Sequence, residues 1–186
     1  MPASRRDRAP RPSGDEQEWI KAAQGGSGDA LEALFRSHWR HAHRAAHLIT
    51  GDAAAAEDIA QEAFLSAVRA LDRFDRRRPF GPWLHRIVVN RAIDWSRSRA
   101  LRREIADDQV DLESPPWAGE HRPYSEDLAA ALLELPPEQR AVVVMRHLLE
   151  YTPGEIAKAL EMPRGTVNSR LRRGLDRLSE LLGEAP

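Results

Sequence analysis

Residues 152–182, TPGEIAKALEMPRGTVNSRLRRGLDRLSELL, predict two helices joined by a tight corner. Thr152 and Glu155 have the spacing of a capping box, and Pro153 occupies the first helical position between them. Met162 ends the first helix, because the residue before a proline avoids helical backbone angles. A short helix, a tight corner and a second helix are typical of a helix-turn-helix.

The second helix of this pair has an apolar side and a basic side. Its apolar residues recur at steps of three and four, the spacing of one helical face: Val167, Leu171, Leu175, Leu178 and Leu182. The candidate DNA contacts are Arg164, Thr166, Asn168, Ser169, Arg170, Arg172 and Arg173. Such side chains donate to guanine edges, adenine edges and phosphates, which favours a helix that reads duplex DNA. The alternative interpretation is a solvated basic helix of an α-helical hairpin.

The composition excludes several classes of protein. The chain has 186 residues and no cysteine, so it has no disulfide framework, thiol nucleophile or cysteine-based zinc site. It lacks an apolar run of about 18 residues, the length that spans a membrane. The first residues are charged and lack the apolar core of a secretory signal, so we expect a cytoplasmic protein.

Charge is distributed unevenly along the chain. The net charge is −1, but residues 164–177 contain five arginines and one acid, whereas residues 104–127 contain eight acids and one arginine. The positive charge of the basic segment and the negative charge of the acidic segment cancel only in the net charge of the whole chain. A net charge near zero therefore does not argue against a nucleic-acid partner.

The N-terminal part of the chain reads as a flexible basic tail, residues 1–15, followed by helices at 16–24, 30–49 and 53–74. Asp29 is the predicted cap of the second helix and Asp52 that of the third. The third helix carries an acidic, amide-rich face that includes Asp58, Gln61 and Glu62. This face is either ordinary solvated surface or a docking surface for a basic partner.

A fourth helix is predicted at 83–99, after a proline-containing basic loop at 75–82. Its polar side chains recur at steps of four, four and three and form one stripe: Arg86, Asn90, Asp94 and Arg97. Phe80 lies in the preceding loop. An aromatic residue followed by arginine and asparagine favours a site for single-stranded nucleic acid, because such side chains stack on bases and read their edges. An ordinary surface helix is the alternative.

The rest of the chain is predicted to form a second helical domain. Residues 104–124 read as an acidic, proline-containing linker. Ser125 is the expected cap of a helix that reaches residue 135, and a further helix is expected at 137–149, before the helix-turn-helix. No segment has the period-2 pattern of a strand. The prediction is an all-α protein with two small helical domains, 16–103 and 125–186.

The sequence offers no constellation for catalysis or for a cofactor. Its one glycine cluster lacks the lysine and the preceding strand of a phosphate-binding loop. The histidines of the second helix, His38, His41, His43 and His47, leave open a metal-dependent helical enzyme. No acid or cysteine nearby completes a metal site, so we expect no metal, no cofactor and no enzymatic activity.

Three segments together resemble one known family. They are AEDIAQEAFLSAVRALDRFD at 56–75, PFGPWLHRIVVNRAIDWSR at 79–97 and LPPEQRAVVVMRHLLEYTPGEIAKALEMPRGTVNSRLRRGLDRL at 135–178. The combination resembles the extracytoplasmic-function sigma factors, the two-domain members of the bacterial sigma-70 family. The likeness covers most of residues 31–182 apart from the linker.

This resemblance implies a protein that binds core RNA polymerase and directs it to promoter DNA. It implies polymerase contacts on the β′ clamp helices and the β flap, the former made by Asp58, Gln61, Glu62 and Leu65. It implies that flipped bases of a melted minus-10 element meet Phe80, Arg86, Asn90, Asp94 and Arg97. The basic helix from residue 164 to 173 would bind the minus-35 element, and a separate anti-sigma factor would mask these surfaces. The alternative is a stand-alone helix-turn-helix regulator that binds a palindrome as a dimer.

Overall fold

The computed structural model describes residues 14–106 and 125–183, which are helical for most of their length. Their helices are α1 (Gly14–Gln24), α2 (Gly28–Thr50), α3 (Ala53–Ala70), α4 (Phe80–Ala106), α5 (Glu126–Leu133), α6 (Pro137–His147), α7 (Pro153–Ala159) and α8 (Arg164–Leu182). A 3-10 turn, Leu71–Arg73, follows α3. No strand occurs in the described ranges, and the all-α prediction is confirmed. None of the described helices has the length and apolar character needed to cross a membrane.

Four helices begin at side chains that accept a hydrogen bond from an amide of the first turn. These caps are Ser27 for α2, Asp52 for α3, Ser125 for α5 and Thr152 for α7. The predicted capping box is present, since the Glu155 carboxylate also accepts from the Thr152 amide at 2.8 Å. The prediction that Asp29 caps the second helix is wrong. Ser27 accepts from the Ala30 amide instead, and Asp29 lies inside the first turn.

Helix α4 begins three residues earlier than predicted, at Phe80 rather than at residue 83. Pro82 lies in its first turn, where backbone amides have no intrahelical acceptor, so the missing amide proton costs no hydrogen bond. The helix also continues beyond the predicted end at residue 99, as far as Ala106. It therefore includes the first residues of the predicted linker. Residues 107–124 of that linker, and residues 1–13 of the predicted tail, lie outside the described ranges.

Helices α1–α4 form an N-terminal bundle, and helices α5–α8 form a C-terminal bundle. In the first, α2 contacts α1, α3 and α4, and fully buried side chains such as Leu34, Ile49 and Leu84 fill the centre. In the second, α8 packs on α5, α6 and α7 around Ile156 and Val167. Burial of apolar surface is the main source of stability in both bundles.

The two bundles also pack against each other, and their buried side chains form one continuous hydrophobic cluster. Helices α2 and α4 contact α5, α6 and α7 across this joint. Gly51 ends α2 in the left-handed conformation, φ 68°, and its amide donates to the His47 carbonyl at 2.8 Å. A Cβ atom at Gly51 would lie 2.8 Å from Leu133 Cδ1. Glycine therefore permits both the left-handed turn and the close approach of the C-terminal bundle.

Candidate nucleic-acid and polymerase interface

The helix-turn-helix consists of α7 and α8 with a corner at residues 160–163. Glu161 takes a positive φ of 52° in this corner, and the Met162 amide donates to the Ala157 carbonyl at 3.0 Å. Ile156 of α7 and Val167 of α8 are both fully buried. These apolar anchors fix the orientation of α8 and leave its basic side turned away from the core.

The predicted DNA contacts of α8 fall into two groups. The side chains that are exposed to solvent are Arg164, Asn168, Arg172 and Arg173. The half-buried ones are Thr166, Ser169 and Arg170. Ser169 donates to the Thr166 carbonyl at 3.0 Å, and Arg170 extends toward the Met162 sulfur at 3.6 Å. The exposed group is therefore free to reach a ligand, whereas the half-buried group also supports the helix.

The four polar residues predicted on one stripe of α4, here called the α4 stripe, lie beside the C-terminal bundle. Arg86 forms an ion pair with Glu161 of the helix-turn-helix corner. Arg97 forms an ion pair with Glu138 in the first turn of α6, and Asp94 lies 3.9 Å from Arg97. Asn90 is half-buried between these two pairs. The structure thus gathers the stripe on one side of the joint between the bundles.

Phe80 does not occupy the position that the sequence suggested. It lies in the first turn of α4, is 3% exposed, and its ring packs against Phe74, Trp83 and His38 at centroid distances of 5.9, 5.5 and 5.3 Å. The prediction that Phe80 lies in the loop before the fourth helix is therefore wrong, whereas its contact with minus-10 bases stays a prediction. Its aromatic ring is part of the hydrophobic core, where burial stabilises the folded chain more than exposure would.

A groove of about 760 Å³ runs between the loop before α4 and helix α7. Its polar and aromatic lining comprises the aromatics Phe74, Trp83 and Tyr151, the cations Arg73, Arg78, Arg86 and Lys158, and the acids Asp75 and Glu155. No sequence pattern relates Trp83 to Lys158, because they lie in different helices and line one groove only in the folded chain. Aromatic walls with four cations and two acids suit an unstacked base and its phosphate.

The acidic side of α3, here called the α3 face, is open to solvent. Asp58, Gln61 and Glu62 are exposed, and Leu65 is 54% exposed. Glu62 also forms an ion pair with Arg91 of α4. Val68, one turn beyond Leu65, is 43% exposed and extends the apolar part of this surface. Leu65 and Val68, one helical turn apart, thus place exposed apolar side chains beside exposed acids on one side of α3.

Two histidines of the N-terminal bundle make short polar contacts, and the contact of His85 crosses the joint between the bundles. His85 Nδ1 lies 2.7 Å from the Tyr151 hydroxyl, and His38 Nε2 lies 2.9 Å from a Glu16 carboxylate oxygen. Burial lowers the pKa of His85 to about 3 and raises that of Tyr151. Among the described residues no group of three or more histidines and acids is arranged to hold a metal ion. The His85–Tyr151 contact instead joins α4 to the segment before α7.

Arg140 is a buried structural residue at the joint between the bundles. It lies within the apolar run of α6, is 6% exposed, and donates to the carbonyl oxygens of Ile49, Leu133 and Leu135. Its only sequence signal is an arginine at a core position of an amphipathic helix. Its acceptor on α2 lies 91 residues away along the chain, so no local pattern identifies it.

The fold and these surfaces define a helical protein with two bundles, a helix-turn-helix whose second helix has a basic side, and a second polar stripe on α4. The family model of Sigma-70 region 2 matches residues 34–102, and that of Sigma-70, region 4 matches residues 125–178. The chain therefore belongs to the sigma-70 family, in its extracytoplasmic-function group. It serves promoter-specific transcription initiation. The match to region 2 argues against the alternative of a stand-alone helix-turn-helix regulator, because such a regulator does not need a region 2 domain.

Individual relatives support this assignment over most of the chain. The ECF RNA polymerase sigma factor SigM of Mycobacterium tuberculosis is 37% identical over 171 residues, covering 90% of this chain and 85% of SigM. SigW of Bacillus subtilis is 31% identical and covers 88% of this chain and 94% of SigW. The solved structure of CnrH in complex with the cytosolic domain of CnrY matches with a TM-score of 0.68 and 27% identity, covering 92% of this chain and 99% of CnrH.

Proposed function

We propose that the chain divides its work between two domains, residues 16–103 and residues 125–186. The first binds core RNA polymerase and the minus-10 element, and the second binds the minus-35 element. The observation that carries this proposal is the presence of two separate polar surfaces, on α4 and on α8, in a chain that belongs to the sigma-70 family. The family matches at 34–102 and 125–178 support the two boundaries. The role is binding, and we assign no catalytic residue.

Helix α8 reads the minus-35 element as duplex DNA in the major groove. Its exposed residues Arg164, Asn168 and Arg172 supply donors that match guanine edges, adenine edges and phosphates. Arg173 adds a further exposed cation, and Thr166, Ser169 and Arg170 hold the backbone and the neighbouring side chains in place. No acid occurs between residues 164 and 173, so no side chain of this segment carries a negative charge that would repel a DNA phosphate.

The α4 stripe contacts the minus-10 element after the duplex has melted. Arg86 and Arg97 supply charge for the strand, and Asn90 supplies donors and an acceptor for a base edge. Asp94 is exposed and accepts from amino groups of bases. Because Phe80 is buried, we assign the stacking role to Trp83, which lines the groove between the bundles. Exposure of a base costs a few kcal/mol of unstacking, and an aromatic wall offsets part of that cost.

The α3 face docks on the β′ clamp helices of polymerase. Asp58 and Glu62 supply negative charge at the surface, and Leu65 supplies exposed apolar area. Apolar area excludes water from the contact, whereas the acids set its orientation and partner choice. The C-terminal domain makes the second polymerase contact, on the β flap.

A separate anti-sigma factor regulates this chain. The support is the likeness to CnrH, whose solved structure is a complex with the cytosolic domain of CnrY. The partner covers surfaces that polymerase and promoter DNA also need, so the two are competitors.

The decisive experiment is reconstitution with bacterial core RNA polymerase, followed by transcription from a library of randomised promoters. We expect a one-to-one complex that initiates at promoters with two separated elements. A variant with Asp58→Lys and Glu62→Lys tests the docking surface, since reversed charge should prevent co-purification with polymerase. The matched control is Glu32→Lys with Glu18→Lys, which reverses two exposed acids on α1 and α2. Tight binding of the free chain to a palindrome, without any polymerase complex, would contradict the proposal.

A further inference from the structure

We infer that the groove between the loop before α4 and helix α7 binds a free purine nucleotide that carries several phosphates. The inference goes beyond the proposed function, because it concerns a small molecule rather than promoter DNA or polymerase. Both bundles contribute to the lining, the N-terminal bundle with residues such as Arg73 and Trp83 and the C-terminal bundle with Tyr151 and Lys158.

The aromatic wall of the groove suits a planar ring. Trp83 is half-buried, and its ring lies against that of Phe74 with centroids 4.6 Å apart and an interplanar angle of 32°. The buried ring of Phe80 packs against both, at centroid distances of 5.5 and 5.9 Å. Pro79 and Pro82 also line the groove, and their rings restrict the backbone there. The wall is therefore fixed before a ligand arrives, which lowers the ordering cost of binding.

The charge of the groove favours an anion. Of the lining residues, Arg86 is paired with Glu161, and Asp75 is paired with Arg77. These pairs leave three cations and one acid on the lining: Arg73, Arg78, Lys158 and Glu155. The groove therefore combines an aromatic wall with a surplus of positive charge.

Arg73 and Lys158 are the cations best suited to phosphate. Both side chains are exposed, and neither forms an ion pair or a side-chain hydrogen bond with a residue that the structure describes. Glu155 already accepts from the amide and the hydroxyl of Thr152, each at 2.8 Å. An anion can therefore bind both cations without breaking an existing contact.

Size and chemistry together identify the class of ligand. The groove has about 760 Å³, within the range of about 300–1,000 Å³ that is usual for small-molecule sites. A simple anion would leave the aromatic wall uncovered, and a neutral aromatic compound would leave the cations unused. A nucleoside polyphosphate uses both, because its base stacks on aromatic rings and its phosphates attract arginine and lysine. A purine offers a larger stacking face than a pyrimidine.

The test is isothermal titration calorimetry of the full chain with ATP, GTP, adenosine and inorganic tripolyphosphate. We expect ATP and GTP each to bind at a single site. Adenosine lacks the phosphates and tripolyphosphate lacks the base, so each should bind at least about 10-fold more weakly than ATP. A single-stranded DNA of randomised sequence, about 12 nucleotides long, carries the same base and phosphate chemistry and is titrated in parallel.

The charge variant combines Arg73→Ala with Lys158→Ala. Both residues lie outside the minus-10, minus-35 and polymerase contacts proposed for this chain. The variant should bind ATP at least about 10-fold more weakly than the parent, because it loses two charge-assisted contacts to phosphate. The matched control combines Lys21→Ala with Arg40→Ala, two exposed cations that do not line the groove, and should bind ATP as the parent does.

Tryptophan fluorescence locates the ligand within the groove. A base stacked on Trp83 should quench part of the emission of the parent, which has five tryptophans. The Trp83→Phe variant keeps an aromatic wall, so it should retain most of the affinity for ATP and lose this quenching. Circular dichroism of every variant verifies that the helices are retained.

Three results would overturn the inference. One is a parent that binds neither ATP nor GTP, including a parent that binds the DNA alone. Another is a charge variant that binds ATP as tightly as the parent, since the phosphates would then lie elsewhere. The third is equal affinity for ATP and tripolyphosphate, which would show a simple anion site. Transcription by the reconstituted polymerase tests the proposed function separately, so failure of one proposal is distinguishable from failure of the other.

Discussion

The guanidinium of Arg140 donates to the carbonyl oxygen of Ile49, near the end of α2, and so ties α6 to the N-terminal bundle. The same group donates to the carbonyls of Leu133 and Leu135 at 2.7 and 2.9 Å. Burial lowers the pKa of Arg140 to about 10, which leaves it charged at neutral pH. One cation therefore satisfies three carbonyl oxygens at the place where the two bundles meet.

Replacement of Arg140 by methionine should destabilise the protein strongly. Methionine retains an unbranched apolar stem but has no donor, so the Leu133 and Leu135 carbonyls lose this partner, whereas the Ile49 carbonyl still accepts from Ser96 at 3.2 Å. Each buried acceptor without a partner costs about 1–3 kcal/mol. We expect the free energy of unfolding to fall by at least about 2 kcal/mol in urea denaturation followed by circular dichroism. Arg36→Met, at an exposed pair with Glu32, should change it by less than about 0.5 kcal/mol. Equal stability of the two variants would refute the role of Arg140.

Replacement of Leu65 by serine should weaken polymerase binding without a loss of stability. Leu65 is 54% exposed on the α3 face, so its apolar area becomes buried only in a complex. Leu101→Ser is the matched control, because Leu101 is 57% exposed and lies on α4 away from this face. Titration of labelled polymerase should show weaker binding by Leu65→Ser alone. A similar loss in both variants would point to a general effect of surface hydrophobicity.

Substitutions on α8 should distinguish the recognition of specific bases from general electrostatic attraction between the helix and DNA. Asn168→Ala and Arg172→Ala should each weaken binding to the minus-35 element by about 1–3 kcal/mol and relax base preference at one position. Arg177→Ala removes a cation of the same helix that is paired with Glu180 at 2.9 Å, and should leave preference unchanged. Competition with a promoter library measures both quantities. Unchanged promoter choice in the first two variants would defeat the assignment.

Asn90→Ala should impair promoter melting more than initial promoter binding. Asn90 lies on the α4 stripe, which we assign to the separated strand, so its amide acts only after the duplex opens. Permanganate reactivity of minus-10 thymines should fall, while the gel-shift affinity of the holoenzyme for duplex promoter is retained. Ser98→Ala on the exposed part of α4 provides the control. Normal permanganate reactivity in the Asn90→Ala variant would count against the proposed contact between the α4 stripe and the melted minus-10 element.

Stability should decrease as the pH falls below about 6.5, the pKa of a histidine side chain in an unfolded chain. Burial, with His38 and His41 nearby, lowers the pKa of His85 to about 3, whereas an unfolded histidine has a pKa of about 6.5. Between these values the unfolded chain binds the proton and the folded chain does not, so acid favours unfolding. His85 alone should account for about 2 kcal/mol of stability lost by about pH 5, and for no change above about pH 7.

The matched variant for this pH dependence is His85→Gln, which removes the titrating ring and retains a polar side chain. Its pH profile between neutrality and mild acid should be flatter than that of the parent. The other histidines with lowered pKa values, His41, His43, His47 and His147, remain in both proteins and cancel in the difference. Parallel profiles of parent and variant would show that His85 is not responsible.

Local signals in the sequence predicted most helix termini. Thr152 and Glu155 form the predicted capping box, and Asp52 and Ser125 cap the predicted helices, because a cap involves atoms only three residues apart. The start of α4 was misplaced for a reason that is also local. A proline in the interior of a helix breaks it, whereas a proline in the first turn, such as Pro82, is tolerated. The predicted start at residue 83 therefore placed Phe80 in a loop, although its side chain belongs to the hydrophobic core.

By itself the sequence determined the all-α class, the helix-turn-helix and the basic side of α8, since helical periodicity and caps are encoded within a few turns of chain. Only the tertiary structure decided that the two bundles join, that Glu161 and Glu138 hold Arg86 and Arg97, and that Arg140 reaches Ile49. These partners are 41 to 91 residues apart along the chain. Their pairing follows from which apolar surfaces bury one another, and that choice depends on the packing of the whole fold rather than on any local pattern.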